Sequence, residues 1–203
     1  APRRAGAGEP FCAQLPSLLA LGPAPTEAEV QRVLAAPLEG WAKNPRHAMA
    51  ALTGLARERR PGTAMAVLRC MQGSRVETNH FHCNAVLSAC EKGCQWAMAL
   101  SLLGAMPDLR ASPTVVSYSS TISACEKGGR WQLALALLRA MPELRIAPNV
   151  VTLNAAISAC EKAGRWQTAL ALLASLPGLS VAPDVISFNA AISACEKGGV
   201  WRQ

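Results

Sequence analysis

Aromatic residues are scarce. They make up 4% of the 203 residues, with a single Tyr and three Phe. Long apolar runs are missing too. None approaches the roughly 20 residues that span a bilayer, and the longest near the N-terminus, around Leu15 to Leu21, holds Pro16. No membrane segment is expected. There is no Gly-rich phosphate loop and no paired-carboxylate site. The His-x-Glu and Cys-x-x-Cys strings of a zinc deaminase are absent as well. The visible chain therefore reads as non-catalytic and free of cofactors. Acidic residues are outnumbered, 13 Asp and Glu against 20 Lys and Arg, for a net charge of +7. That balance favours a polyanionic partner, although charge alone also serves solubility.

What the chain does contain is recurrence. Trp96, Trp131, Trp166 and Trp201 stand 35 residues apart. Cys90, Cys125, Cys160 and Cys195 keep the same step, as do Lys92, Lys127, Lys162 and Lys197. A fixed period of this length marks a stacked repeat protein. Three gapless units follow, 80–114, 115–149 and 150–184, and a fourth occupies 185–203. One period back, 45–79 lacks the Trp and the Glu-Lys pair but keeps Leu52, Ala64, Leu68 and Met71 in phase with Leu87, Ala99, Leu103 and Met106. It reads as a divergent repeat.

Each unit reads as two helices. In 150–184, Leu153, Ala156, Ile157 and Cys160 give the spacing of one buried helical face. Gly164 supplies the left-handed turn after it. Trp166, Ala169, Leu170, Leu173 and Leu176 form the stripe of a second helix, stopped by Pro177 as by Pro107 and Pro142. One such pair cannot bury its stripes alone, but stacked neighbours can. The Trp row is thus expected to be core. The in-phase cysteines read as small core residues, which fits a reducing compartment. His80, His82, Cys83, Cys90 and Cys94 suggest zinc, but Cys94 falls in the turn and Cys90 in the core row, so no metal site is expected.

At the N-terminus, residues 1–25 read as a disordered or targeting-like lead-in. Thr26 with Glu29 makes a capping box, so 26–44 reads as one short helix and a possible degenerate repeat. Ala1 in place of Met, and a last unit stopping after one helix, suggest a fragment or a processed chain.

The other face of the first helix carries Asn154, Ser158 and Lys162. Stacking turns it into ladders: Asn84, Ser119, Asn154, Asn189, then a serine row, then the lysine row. An amide can read a base edge and an ammonium suits a phosphate. Lysine near a helix C-terminus is also favoured by the helix dipole without any ligand. Two readings stay open from these residues, a nucleic-acid binder and a protein-binding helical scaffold of the tetratricopeptide kind.

The stretches VVSYSSTISACEKGGRWQLALALLRAMPELRIAPN and VVTLNAAISACEKAGRWQTALALLASLPGLSVAPD closely resemble pentatricopeptide repeats in length, centre and closing Pro-Asn or Pro-Asp. Tetratricopeptide repeats run 34 residues and lack that ending. The resemblance implies an all-α solenoid of stacked helix-turn-helix pairs forming a right-handed superhelix. It also implies binding of single-stranded RNA in plastids or mitochondria, with plastids favoured, at about one base per repeat. The step served would be processing, stabilisation, editing or translation, with protein partners in an RNA-processing complex. The fifth and last residues of a unit would read the base: Asn84 with Thr114, Ser119 with Asn149, and Asn154 with Asp184, plus Asn189 in the last unit. Phe81, Val116, Val151 and Ile186 would sandwich the bases. Lys92, Lys127, Lys162 and Lys197 would approach the phosphates. The implied core is pyrimidine-A-U-pyrimidine, parallel with the chain. Met49 with Asn79 fits no reading pair, so 45–79 is expected to stack without reading.

Overall fold

The computed structural model describes residues 14–200. Its helices are α1 Leu15–Ala20, α2 Glu27–Lys43, α3 Arg46–Arg57, α4 Pro61–Gly73, α5 His80–Lys92 and α6 Trp96–Ala105. They continue with α7 Val115–Lys127, α8 Trp131–Glu143, α9 Val150–Lys162, α10 Trp166–Ser175 and α11 Val185–Lys197. No strand occurs among the described residues. From α3 onward the odd-numbered helices pack side by side, α3 on α5, α5 on α7, α7 on α9 and α9 on α11. Each even-numbered helix from α4 packs on its own odd-numbered partner and on the next one. The result is a two-layer α-solenoid, in which each repeat covers its neighbour's apolar stripe.

The core repeats with the sequence. Leu52, Leu87, Ile122 and Ile157 are fully buried, as are Ala64, Ala99, Ala134 and Ala169. Met71, Met106, Met141 and Leu176 form a third buried row, and Cys90, Cys125 and Cys160 a fourth. Each large side chain so buried contributes about 1.5–3 kcal/mol. Burial pushes the Cys90 thiol up to about 12 and those of Cys83 and Cys125 to about 11. These thiols are inert packing, since the thiolate is the reactive form.

Helix ends recur as well. Asn79, Thr114, Asn149 and Asp184 are the N-caps of α5, α7, α9 and α11. A side-chain oxygen of each accepts an N–H that the helix leaves unpaired. After the even-numbered helices, Arg75, Arg110, Arg145 and Ser180 take positive φ. The N–H of the next residue then closes a Schellman bond, for example Ile146 to the Met141 carbonyl at 2.9 Å. After the odd-numbered helices the left-handed position is Gly129, Gly164 and Gly199, but Arg59 at φ 54° and Cys94 at φ 56° in their units. That position penalises any side chain.

Four expectations need correction. The lead-in reading of 1–25 fails over Leu15–Ala20, which is helical with Leu18 fully buried. Gly54 makes the space: a Cβ there would lie 2.6 Å from a Leu15 methyl carbon. Residues 1–13 lie outside the described residues. The short helix expected within 26–44 runs 17 residues, and its capping box is present, with the Thr26 N–H donating to Glu29 Oε2 at 2.8 Å. Pro142 does not stop its helix but lies inside the last turn of α8.

The Trp row is not core. Trp96, Trp131 and Trp166 are half-buried at the first position of their helices. Each lies at the seam with the following repeat. A Cβ on Gly128 would stand 2.4 Å from Trp96 Cδ1, and one on Gly198 would stand 2.4 Å from Trp166 Cδ1. Arg130 lies over the Trp96 ring at 4.7 Å and Arg165 over Trp131 at 5.0 Å. The rings are therefore inter-repeat spacers, and those of Trp96 and Trp131 are held by cation–π contacts. Trp201 lies outside the described residues.

Candidate nucleic-acid interface

The odd-numbered helices present one continuous face, and its residues sort into three levels. The outermost are Phe81, Val116, Val151 and Ile186, at the second position of α5, α7, α9 and α11. They are between 51% and 62% exposed. Four large apolar side chains left in water at a fixed step have no structural use there, because the helix face that packs lies elsewhere.

Below them lie the predicted reading residues, deeper than an exposed stripe would place them. Asn154 and Ser119 are buried at 8% and 9%, and Asn84 is half-buried. Close packing of adjacent odd-numbered helices recesses this row into the seams. Asn154 Nδ2 donates to Asp184 Oδ1 at 2.9 Å, and Asn84 Nδ2 donates to Thr114 Oγ1 at 3.4 Å. The structure thus joins two of the three pairs directly. Ser119 is too short to reach Asn149, and its hydroxyl donates to the Val116 carbonyl at 3.2 Å. Asn189 is exposed and has no such contact among the described residues.

Asn149 Oδ1 accepts from the Thr152 N–H at 2.9 Å and from its hydroxyl at 2.7 Å. That turns Nδ2 of Asn149 away from the helix as a donor. Asp184 Oδ1 accepts from Asn154 and from the Ser187 N–H at 2.9 Å, and the Ser187 hydroxyl oxygen lies 3.0 Å from it. The Ser187 N–H and the Asn154 amide hold its carboxyl below the usual range, with the Ile186 N–H adding to them, and no side chain among the described residues donates to Oδ2. Each closing residue therefore caps one helix and faces the seam at the same time.

Sequence reading missed a fourth row, His82, Ser117, Thr152 and Ser187, one period apart and all buried. Ser117 Oγ donates to Asn84 Oδ1 at 2.6 Å, and Ser187 Oγ donates to Asn154 Oδ1 at 2.6 Å. The recurrence of hydroxyls at 117, 152 and 187 was visible, but their partners lie in the preceding unit. His82 contacts the Pro45 carbonyl instead, since Met49 offers no acceptor. With His82 and Cys90 buried and Cys94 exposed, the described residues contain no cluster suited to a metal ion.

The third level is the lysine row. Lys127 pairs with Glu91 at 2.9 Å, Lys162 with Glu126 at 2.5 Å and Lys197 with Glu161. Each bond joins a lysine to the acid of the preceding repeat. Ser193 also donates to Glu161. Lys92 differs, because Ala56 stands where the acid would be, and it is exposed with no ion pair among the described residues. The four lysines are thus unequal. Three are committed to inter-repeat bridges and one is free.

No described helix is long and apolar enough to cross a membrane. No curated protein matches the chain. Among solved structures it is similar to the PPR domain of Arabidopsis thaliana protein-only RNase P 1 in complex with tRNA. That match has 13% identity and a TM-score of 0.63 over 73% of this chain and 78% of that one. It is also similar to the pentatricopeptide repeat protein PPR10 from maize, with 24% identity and a TM-score of 0.68 over 90% of this chain and 24% of that one. PPR10 in complex with an 18-nt psaJ RNA element gives 23% identity, a TM-score of 0.67 and 90% and 27% coverage. The chain therefore spans about a quarter of the length of the PPR10 chains, and at these identities the likeness is one of fold. Family models match three stretches: pentatricopeptide repeat domain over 66–130, PPR repeat family over 113–160 and PPR repeat over 151–179. With its 35-residue period, two-layer solenoid and these matches, the chain belongs to the pentatricopeptide repeat family.

Proposed function

We propose that the protein binds single-stranded RNA along the odd-numbered helices, at about one base per repeat. The observation that carries this is the joint recurrence, every 35 residues, of an exposed apolar side chain beside a recessed polar pair. Such a pair of levels suits a stacked base whose edge is read below it. The fold neighbours crystallised with tRNA and with a psaJ RNA element support the reading.

The open hydrogen-bonding groups favour particular bases. At the seam after 150–184, Asp184 Oδ2 accepts and the second Asn154 N–H donates. Uracil offers N3–H and a carbonyl oxygen, which complement both, whereas cytosine N3 would set a lone pair against the carboxylate. At the seam after 115–149, Asn149 Nδ2 donates and the Ser119 oxygen can accept. Adenine N1 and its amino group complement these. Asn84 with Thr114 and Asn189 take a pyrimidine, so the proposed core is pyrimidine-A-U-pyrimidine. We place this activity in organelle RNA metabolism, on the resemblance to the family.

Titration of the 203-residue chain against a short single-stranded RNA carrying that core tests the function. Binding that falls steeply with salt and is weaker for a scrambled RNA supports it. No RNA binding together with capture of peptides on the same face supports the scaffold reading instead.

A further inference from the structure

The geometry points to Ser187 as a positioning residue that locks the amide of Asn154, so that the first turn of the next repeat helps set the base preference of unit 150–184. This rests on the RNA reading above. An Asn side chain can present either end, and only its partners decide which faces outward. Asp184 is ionised and can only accept, so Asn154 must turn Nδ2 towards it. Ser187 Oγ accepts the Asp184 N–H at 3.1 Å, and of the two oxygens within reach of its single proton Asn154 Oδ1 at 2.6 Å is nearer than Asp184 Oδ1 at 3.0 Å, so the proton goes to Asn154. Ser187 is fully buried, so water does not substitute for it. The amide oxygen is thereby tied inward and one N–H is left pointing out.

The other two seams lack this lock. At Asn84 both partners, Thr114 and Ser117, are hydroxyls, and either can donate to the other at 3.3 Å. Rotating the two hydroxyls allows the Asn84 amide to turn over without losing a bond. At Ser119 there is no amide to orient, and the Thr152 hydroxyl serves Asn149 alone. Thr152 thus orients Asn149 at its own seam and makes no bond to a fifth-position side chain, which provides a control at the 150–184 register.

The test uses the full chain and RNAs that differ only by uracil or cytosine at the 150–184 register. In Ser187→Ala the uracil preference should fall about three- to tenfold, the worth of one hydrogen bond. Ser187→Thr should restore it, because Thr152 already occupies the equivalent place. Thr152→Ala removes a comparable capping hydroxyl and should leave the preference at this register unchanged. In the free wild-type chain, NMR should show the Asn154 side-chain protons as inequivalent and slow to exchange. A preference that survives in a folded Ser187→Ala overturns the assignment alone. If that variant does not fold, an Asn154 amide exchanging as freely as a solvent-exposed one overturns it. A wild-type chain with no uracil preference overturns the RNA reading, and the assignment with it.

Discussion

Units 45–79 and 150–184 bury the same rows and differ on the face that lines the seams. Leu52, Ala64 and Met71 are fully buried, like Ile157, Ala169 and Leu176 three periods on. Yet the seam-lining residues of the later repeats are gone from 45–79. Met49 replaces the amide, Ala56 the acid and Pro61 the Trp. Packing and recognition therefore use separate positions of the same 35-residue unit, and the first survives loss of the second. Stacking asks only for small and aliphatic residues at a fixed step, whereas the seam asks for particular hydrogen-bonding groups.

If the packing is common to both regions, Leu52→Ala and Leu87→Ala should each cost about 2–5 kcal/mol. Urea unfolding measures this, and a much smaller cost for Leu52→Ala would mean that 45–79 is not a true member of the stack. The next effect concerns the turns. Cys94 occupies the position held by glycine in the three following repeats, so Cys94→Gly should stabilise the chain by about 1–2 kcal/mol. A loss of stability would show that the Cys94 side chain makes compensating contacts.

The ladder can be extended by one change. Ala56→Glu gives Lys92 the partner its counterparts have, with a gain of about 0–1 kcal/mol. The same change, like Lys92→Gln, should lower the salt slope of RNA binding by about 0.7, one phosphate contact. An unchanged slope in both would remove Lys92 from the RNA-facing set. The smallest effect is on pH. Asp184 has its folded pKa below the ordinary 3.8, so its contribution is full above that value and is lost as pH falls through the lowered one. Acid titration of Asp184→Asn should lack that part of the transition.

Much of this was legible in the residues. The recurrence of Cys and Lys set the register, and spacing such as Leu153, Ala156, Ile157 and Cys160 placed the helices. Other features depend on neighbours in space. The Glu91–Lys127 bridge joins residues 36 apart, and Ser187 reaches Asn154 across 33. Neither offset belongs to a helix, so only the stacking geometry reveals them. The Trp row misled because a conspicuous apolar residue reads as core, while seam packing leaves Trp96, Trp131 and Trp166 half-buried, the first two under an Arg. Helix α1 escaped notice because six residues carry too little periodicity and its place depends on Gly54.

The central claim is that each seam reads a base through its recessed pair. It is tested most directly by comparing wild type and Asp184→Asn on RNAs that carry uracil or cytosine at each register in turn. The wild-type chain should prefer uracil at the 150–184 register. In Asp184→Asn that preference should soften there and nowhere else, because the Ser187 N–H keeps the new amide oxygen inward and turns a donor outward. A flat uracil-to-cytosine series in both proteins would contradict the account.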